Sequence, residues 1–384
     1  MVSSSPADGC GDGVRQAGLT FRRSPTLLLH WSDEALLLQN YAVPCSVRAH
    51  PAIVELLDRF GSWTPIEDYL NTQPADGRGF AERLVAELHR HRFLRRSDDT
   101  LLPAEAAMEA WDKWNPSAGL FHMATKDAPF IDLEVFVSHL AEKQEVRPMP
   151  AAVKRYDDAP CVELSRARFS GQFPKVLRDR RTWRHFGRRP IEMDSLSSLL
   201  HLSFGVQRWA STEGEGRVPL KTSPSGGARH PLEAYVVVRR VAGVEPGVYH
   251  YASDVHRLER LTRAGVVPAF DELLPTQWWY RDAGALVLLT AVFERTQWRY
   301  EGPRAYRAVL IEAGHACQTF CLAATWLGLA PFCSMALADT AIENLLGLDG
   351  VSESVLYAAG VGSRPSRSSG RPPGAIPAHR QTGG

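Results

Sequence analysis

The sequence predicts an α+β protein in two parts, a small winged-helix-like domain followed by a larger domain whose sheet is flanked by helices. Three observations carry this expectation. Residues 26–102 show helical hydrophobic spacing that ends in a hairpin pattern. Residues 285–293, Ala-Leu-Val-Leu-Leu-Thr-Ala-Val-Phe, are almost wholly apolar, which suits a strand buried on both faces. Residues 306–327 have the length and spacing of one long helix that covers such a sheet.

A chain of 384 residues is long for a single core, so a division into domains is expected. The formal net charge is +1, so no overall field draws the chain to nucleic acid or to an anionic membrane. Six scattered cysteines without a Cys-x-x-Cys pair fit a reducing cytoplasm, with neither a disulfide framework nor a metal site. Residues 1–13 lack both the cationic start and the apolar core of a signal peptide. Ala313–Ala338 contains no Asp, Glu, Lys or Arg, yet His315, Gln318, Gly328 and Pro331 favour a buried helix ending near Gly328 over a membrane span.

Residues 1–25 are small, polar and glycine-rich, and disorder is expected there. Within residues 26–105, Ile53, Leu56, Leu57 and Phe60 share one helical face. Thr64 and Pro65 read as the N-cap and first residue of a second helix. Residues 80–93 form a third helix, and Leu94–Leu102 reads as a hairpin with an Asp98-Asp99 tip. Three helices and a wing give the winged-helix expectation. The third helix mixes Glu82 and Glu87 with Arg83 and Arg90, so peptide recognition or a structural role ranks above DNA binding. Residues 106–174 read as a connection, with an amphipathic segment at 131–140 and an extended run Arg147–Pro150. In residues 175–364, Asp194 caps a helix over 195–204 that Gly205 closes. Strands are expected at 235–239, 247–251, 256–261, 285–293 and 354–359, and residues 365–384 are expected to be disordered.

Two stretches carry chemistry. Arg178–Phe186 packs four arginines and Thr182 into nine residues. Planar cationic forks beside a hydroxyl suit a phosphate, although a solvated basic patch looks the same. The Pro224-Ser225-Gly226-Gly227 turn lets main chain approach a flat ligand, and an ordinary turn before a strand is the plainer alternative. Glu312 and His315, three apart on a helix, either bond to a neighbouring loop or stand near a ligand edge. A Walker A sequence and Gly-x-Ser-x-Gly are both absent, and Gly360-Val-Gly362 lacks the third glycine of a dinucleotide site.

Arg180-Arg-Thr-Trp-Arg-His-Phe186 resembles the Arg-Arg-Ser-x-Arg-x-Phe opening of FMN-dependent nitroreductase-fold enzymes. Ser223–Tyr235 resembles the Pro-Ser-Gly-Gly-x-x-x-Pro-x-Glu-x-Tyr stretch of their SagB-type branch, and Gly247–Tyr251 and Glu312–His315 match that branch in the same order. The resemblance spans about residues 175–364. It implies a nitroreductase-like FMN-binding domain with a central, mostly antiparallel sheet, usually a homodimer with FMN at the subunit interface. It implies that Arg180, Thr182 and Arg184 hold the phosphate and ribityl chain, that Pro224, Ser225, Gly226 and Gly227 lie along the isoalloxazine, and that Arg364 or Arg367 adds a phosphate contact.

SagB-type proteins are similar to dehydrogenases that mature ribosomally made peptides by oxidising azolines to azoles. The resemblance therefore implies a peptide substrate, gripped through its leader by the N-terminal domain, and a partner modification enzyme. Where the azoline-oxidising pattern has a Lys-Tyr pair, this chain has Arg299-Tyr300. Arginine keeps its proton to a pKa above about 12, so Arg299 is no base, while Tyr300 can relay a proton or orient substrate. The departure brings Cα–Cβ desaturation level with azole formation. An NAD(P)H-dependent nitro- or quinone-type reductase of small molecules, and a flavin-free peptide-binding adaptor, are the alternative readings. The N-terminal domain counts against the first, and the retained Arg180, Thr182, Arg184 and glycine loop count against the second.

Overall fold

A computed structural model describes residues 18–32, 35–43, 45–146, 170–212, 216–261 and 267–365, and the chain divides into two units, Met1–Thr125 and Lys126–Gly384. The first unit begins with strands β1 (Thr20–Arg23), β2 (Leu27–Ser32), β3 (Ala35–Asn40) and β4 (Cys45–Ala49). Helix α1 (Ile53–Arg59), strand β5 (Thr64–Pro65), helices α2 (Ile66–Leu70) and α3 (Arg78–Arg90), and strand β6 (Leu94–Arg96) follow, then α4 (Pro103–Glu109) and α5 (Ser117–Thr125). Strands β2, β3 and β4 form an antiparallel meander, and a second small sheet has the order β5-β1-β6. Phe21 of β1 is wholly buried against Phe60, Val85 and Leu88 in one apolar cluster.

Several expectations need correction here. Residues 20–23 are an ordered central strand, not part of a disordered start, because Phe21 supplies the apolar anchor that the polar stretch before it lacks. Residues 27–32, 35–40 and 45–49 are strands rather than helix. Their long apolar runs are compatible with either period, and pairing decides. Thr64 lies in a strand and Pro65 takes the N-cap position. Leu94–Leu102 is no hairpin, since β6 pairs with β1 instead.

The second unit opens with helices α6 (Leu133–Val146), α7 (Gln172–Asp179) and α8 (Met193–Phe204), the last with Glu192 rather than Asp194 at its N-cap and Gly205 at its C-cap. The run Arg147–Pro150 and the tail from 366 lie outside the described residues. A hairpin that the sequence reading missed, β7 (Val206–Thr212) and β8 (Gly216–Lys221), precedes β9 (Leu232–Val238), β10 (Gly247–Ala252) and β11 (Arg257–Arg260). Helix α9 (Phe270–Leu273), β12 (Ala285–Val292), α10 (Glu294–Gln297), α11 (Ala305–Trp326), β13 (Leu329–Ser334), α12 (Asp339–Leu346) and β14 (Glu353–Ser363) complete it.

The six-stranded sheet has the order β11-β10-β9-β12-β14-β13, and every pairing is antiparallel. Alternation along β12 sends Ala285, Val287 and Leu289 to one face, where α8 and α11 pack through Leu199, Ala316 and Phe320. Leu286 and Leu288 point to the other face, against Phe270, Leu273, Ile342 and Leu346. This two-sided burial explains why β12 is apolar throughout. Among the described residues, no helix is long and apolar enough to cross a membrane.

Candidate active site

The glycine loop joins β8 to β9 at one end of the sheet. Gly227 has φ +59°, a left-handed conformation that costs other residues, and a Cβ there would lie 2.5 Å from Cδ and Nε of Arg299. A Cβ on Gly226 would stand 3.5 Å from the Tyr300 ring. The two glycines therefore bring main chain directly against the Arg299-Tyr300 pair, which follows α10.

Helix α11 latches this loop. The Gly226 N–H donates to Glu312 Oε1 at 2.9 Å, and the Ser225 hydroxyl bonds to the same carboxylate. Ser225 Oγ in turn accepts from the His230 N–H at 2.8 Å, and the Ser223 and Thr319 hydroxyls meet at 2.8 Å. Glu312 and Thr319 lie two helical turns apart, so one face of α11 secures both sides of the turn. Glu312 is buried, and that burial pushes its carboxyl above the usual range, partly offset by the Gly226 and Ser225 bonds. Of the two helical residues weighed from the sequence, Glu312 is the loop's partner, while His315 is exposed.

The arginine stretch runs elsewhere, as an extended segment beside β13. Trp183 N–H donates to Pro331 O at 2.9 Å and Gly187 N–H to Ser363 O at 2.8 Å. Arg180, Thr182 and Arg184 are each half-buried, whereas Arg181 is exposed. Arg180 ends α7, and its charge, after the Cys321 and Tyr357 hydrogen bonds, helps draw the Cys333 thiol below its ordinary value against the opposing effect of burial. Arg184 reaches the Tyr280 hydroxyl. Arg364 donates from Nε to Leu329 O at 3.0 Å and from Nη2 to Thr325 O at 3.2 Å, and its guanidinium lies over the Trp183 ring at 5.4 Å. It thus finishes the carbonyl end of α11. Arg367 lies outside the described residues.

Within one chain these two groups do not meet. Pro331 pairs with Val361, Val361 with Ala285 and Ala285 with Val238, the end of β9 farthest from the glycine loop. Three strand spacings across and several residues along separate the arginines from Gly226 by on the order of 20 Å.

The sequence reading also missed a cleft of about 720 Å³ beside the glycine loop, lined by Lys221, His230, Glu233, His250, Arg295 and Trp298 among others. Burial, followed by the nearby Lys221 charge, pushes His230 down to about 4, so its ring is neutral at pH 7. Glu233 and His250 stand inside the recognised motifs, and their opposite charge on neighbouring strands was the available signal.

A helix-flanked antiparallel sheet with a helix-latched glycine loop defines the class, and comparison gives the family. Residues 177–363 match the nitroreductase family, and the chain belongs to it. MJ1384 of Methanocaldococcus jannaschii, whose name calls it a nitroreductase, is 36% identical over 171 residues, 44% of this chain and 82% of that protein. The trifolitoxin-processing protein TfxB of Rhizobium leguminosarum bv. trifolii is 29% identical over 281 residues, 69% of this chain and 73% of that one. The structure of the E. coli microcin synthetase McbBCD complex with truncated pro-MccB17 superposes with a TM-score of 0.47 and 19% identity, over 70% of this chain and 99% of that chain.

Proposed function

We propose that this protein is an FMN-dependent dehydrogenase that oxidises a ribosomally made peptide, by azoline-to-azole conversion or Cα–Cβ desaturation. The observation that carries the reading is the SagB-type glycine loop, fixed by Glu312 with its main chain turned to Arg299 and Tyr300. The residues present fit the cofactor. Two side-chain-free positions offer a flat surface for a ring, and Arg180, Thr182 and Arg184 offer two cationic forks and a hydroxyl for a phosphate. FMN, when bound, supplies hydride acceptance at N5. The chain's own part is to hold the substrate carbon over the loop and to receive the accompanying proton, for which Tyr300 is the available relay while Arg299 stays cationic.

Since the loop and the arginines lie at opposite corners of the sheet, the reading draws them from two copies in a homodimer. Helices α7 and α11 support this with exposed apolar side chains, Phe173 at 66%, Ile311 at 56% and Trp326 at 52%. The first unit supports a peptide substrate. Its α1-β5-α2-α3-β6 order suits a winged helix, and a groove of about 720 Å³ between β4 and helices α1 and α3 is lined by Val47, Ile53, Leu56, Phe80 and Leu84. Among the described residues strand β4 pairs only with β3, leaving an edge that an extended leader peptide can join. The likeness to a trifolitoxin-processing protein over 69% of the chain points the same way, toward a peptide-maturing role, and the reading adds a cytoplasmic setting and a partner modification enzyme.

The likeness to MJ1384 favours a second reading, an NAD(P)H-dependent nitro- or quinone-type reductase. The visible spectrum of the purified protein, with its chromophore identified by mass, tests both. About one FMN per chain is expected, and a colourless protein that takes up no added FMN leaves only a flavin-free adaptor. Rapid NAD(P)H oxidation with a nitroarene or quinone would favour the second reading over the first.

A further inference from the structure

Behind the glycine loop, five charged side chains form one continuous array across β9, β10, β11 and α10. Arg295 places Nη2 2.5 Å from Glu233 Oε1, and its Nη1 donates to the His230 carbonyl at 3.1 Å. Glu233 Oε2 lies 3.1 Å from His250 Nε2, and His250 Nδ1 lies 3.1 Å from Glu259 Oε2. Arg257 closes the line on Glu259 Oε1 at 2.7 Å. Arg295 thus touches the end of the glycine loop at His230, and it stands on the short helix that leads, four residues later, to Arg299. The planar guanidinium holds both contacts at once.

Both ring nitrogens of His250 face carboxylate oxygens. A neutral imidazole has one donor and one acceptor, so only the protonated ring satisfies both contacts. The two carboxylates, Glu233 first, raise the His250 pKa above its ordinary value against the opposing effect of burial. The other charged or titratable groups lining the cleft are Arg217, Lys221, Arg229, His230, Asp254 and Glu294. The Tyr235 ring packs against His250 at 5.2 Å.

We propose that Arg295 is a positioning residue that ties the glycine loop to the Arg299-Tyr300 turn, and that the proton on His250 governs this tie through Glu233. Deprotonation of His250 turns one ring nitrogen into an acceptor facing an oxygen anion. In either tautomer Glu233 loses its charged partner, so it shifts, Arg295 follows, and loop and turn loosen together. A group whose folded-state pKa is raised stabilises below its unfolded pKa, and the contribution is lost as pH rises through the folded value. The tie is therefore tight in mildly acid solution and slackens as pH rises through the raised His250 pKa.

The proposal rests on the reading of the loop and turn as one site, but its test does not need flavin. Hydrogen exchange of the full-length chain, corrected for intrinsic rates, is followed over segments 223–231 and 294–302 from pH 5.5 to 8.5. In the wild type both segments should gain at least about tenfold in exchange as His250 deprotonates, with β12 unchanged. His250→Gln should give the fast rate at every pH. Arg295→Lys, which keeps the charge but not the fork, should loosen both segments at low pH. A pH dependence that survives in His250→Gln, or loosening of only one segment in Arg295→Lys, overturns the proposal. Flavin uptake by the same samples separately decides the cofactor reading.

Discussion

The glycine loop and the arginine stretch are finished to different degrees within one chain. The loop is fully tied, with Gly226 bonded to Glu312, Ser225 to both Glu312 and His230, and Ser223 to Thr319. The arginine stretch is tied by its backbone to β13 and β14, while Arg180, Thr182 and Arg184 are half-buried. In the proposed reading the first receives the flat part of the ligand and the second its charged part. Neither alone suits a whole flavin nucleotide, and the sheet keeps them apart.

This contrast can be broken most decisively by separating the halves genetically. Arg184→Ala and Gly227→Val should each lose bound FMN, with affinity lowered at least about a hundredfold, read by absorbance after desalting. If each site draws one half from each copy, refolding an equal mixture of the two variants should restore about one quarter of the wild-type flavin capacity. No recovery would place both halves in one chain's own site.

A smaller effect distinguishes the two glycines. Gly227→Ala faces a positive φ that costs about 1–2 kcal/mol, in addition to its clash with Arg299, and should weaken FMN at least tenfold. Gly226→Ala, with ordinary contact distances to Tyr300, should stay within about threefold in the same titration. Equal losses would mean that the ligand itself, rather than Arg299, sets the limit.

Glu312→Ala leaves the Gly226 N–H and the Ser225 hydroxyl without their acceptor, which should lower stability by about 1–3 kcal/mol in urea melts. Glu312→Gln retains an acceptor and should lose less than half as much. The smallest effect is expected for Arg364→Ala. Its donors serve the Leu329 and Thr325 carbonyls, so stability should fall by about 1 kcal/mol with FMN affinity nearly unchanged. A large loss of FMN would restore Arg364 to the phosphate side.

Much of the second unit was legible in the sequence because its signals are local. The apolar run of β12, the meander of β10 and β11, and the length of α11 each mark an element by period alone. The helix end near Gly328 was legible, but strand β13 beyond it was hidden because Leu329–Ser334 continues the uncharged run without a period of its own. The glycine loop was visible, and Glu312 was marked as a residue that could bond to a loop, but which loop it holds was not. Glu312 lies 86 residues beyond Gly226, and only the packing of α11 on the sheet joins them. The Glu233–His250 pair was missed for a similar reason, since strand register and not spacing brings the two side chains together, with His250 opposite Tyr235 and Glu233 on the diagonal.

The position of β1 bears on how the first unit can be taken apart. This strand lies between β5 and β6, which have no pairing with each other, and Phe21 fills the space between helices α1 and α3. A fragment cut at residue 26, where helical spacing begins, would keep every helix and still lose the rung that joins its two outer strands. Any excision of this unit for separate study has to start upstream of Thr20, or its weakness will be mistaken for an inability to fold alone.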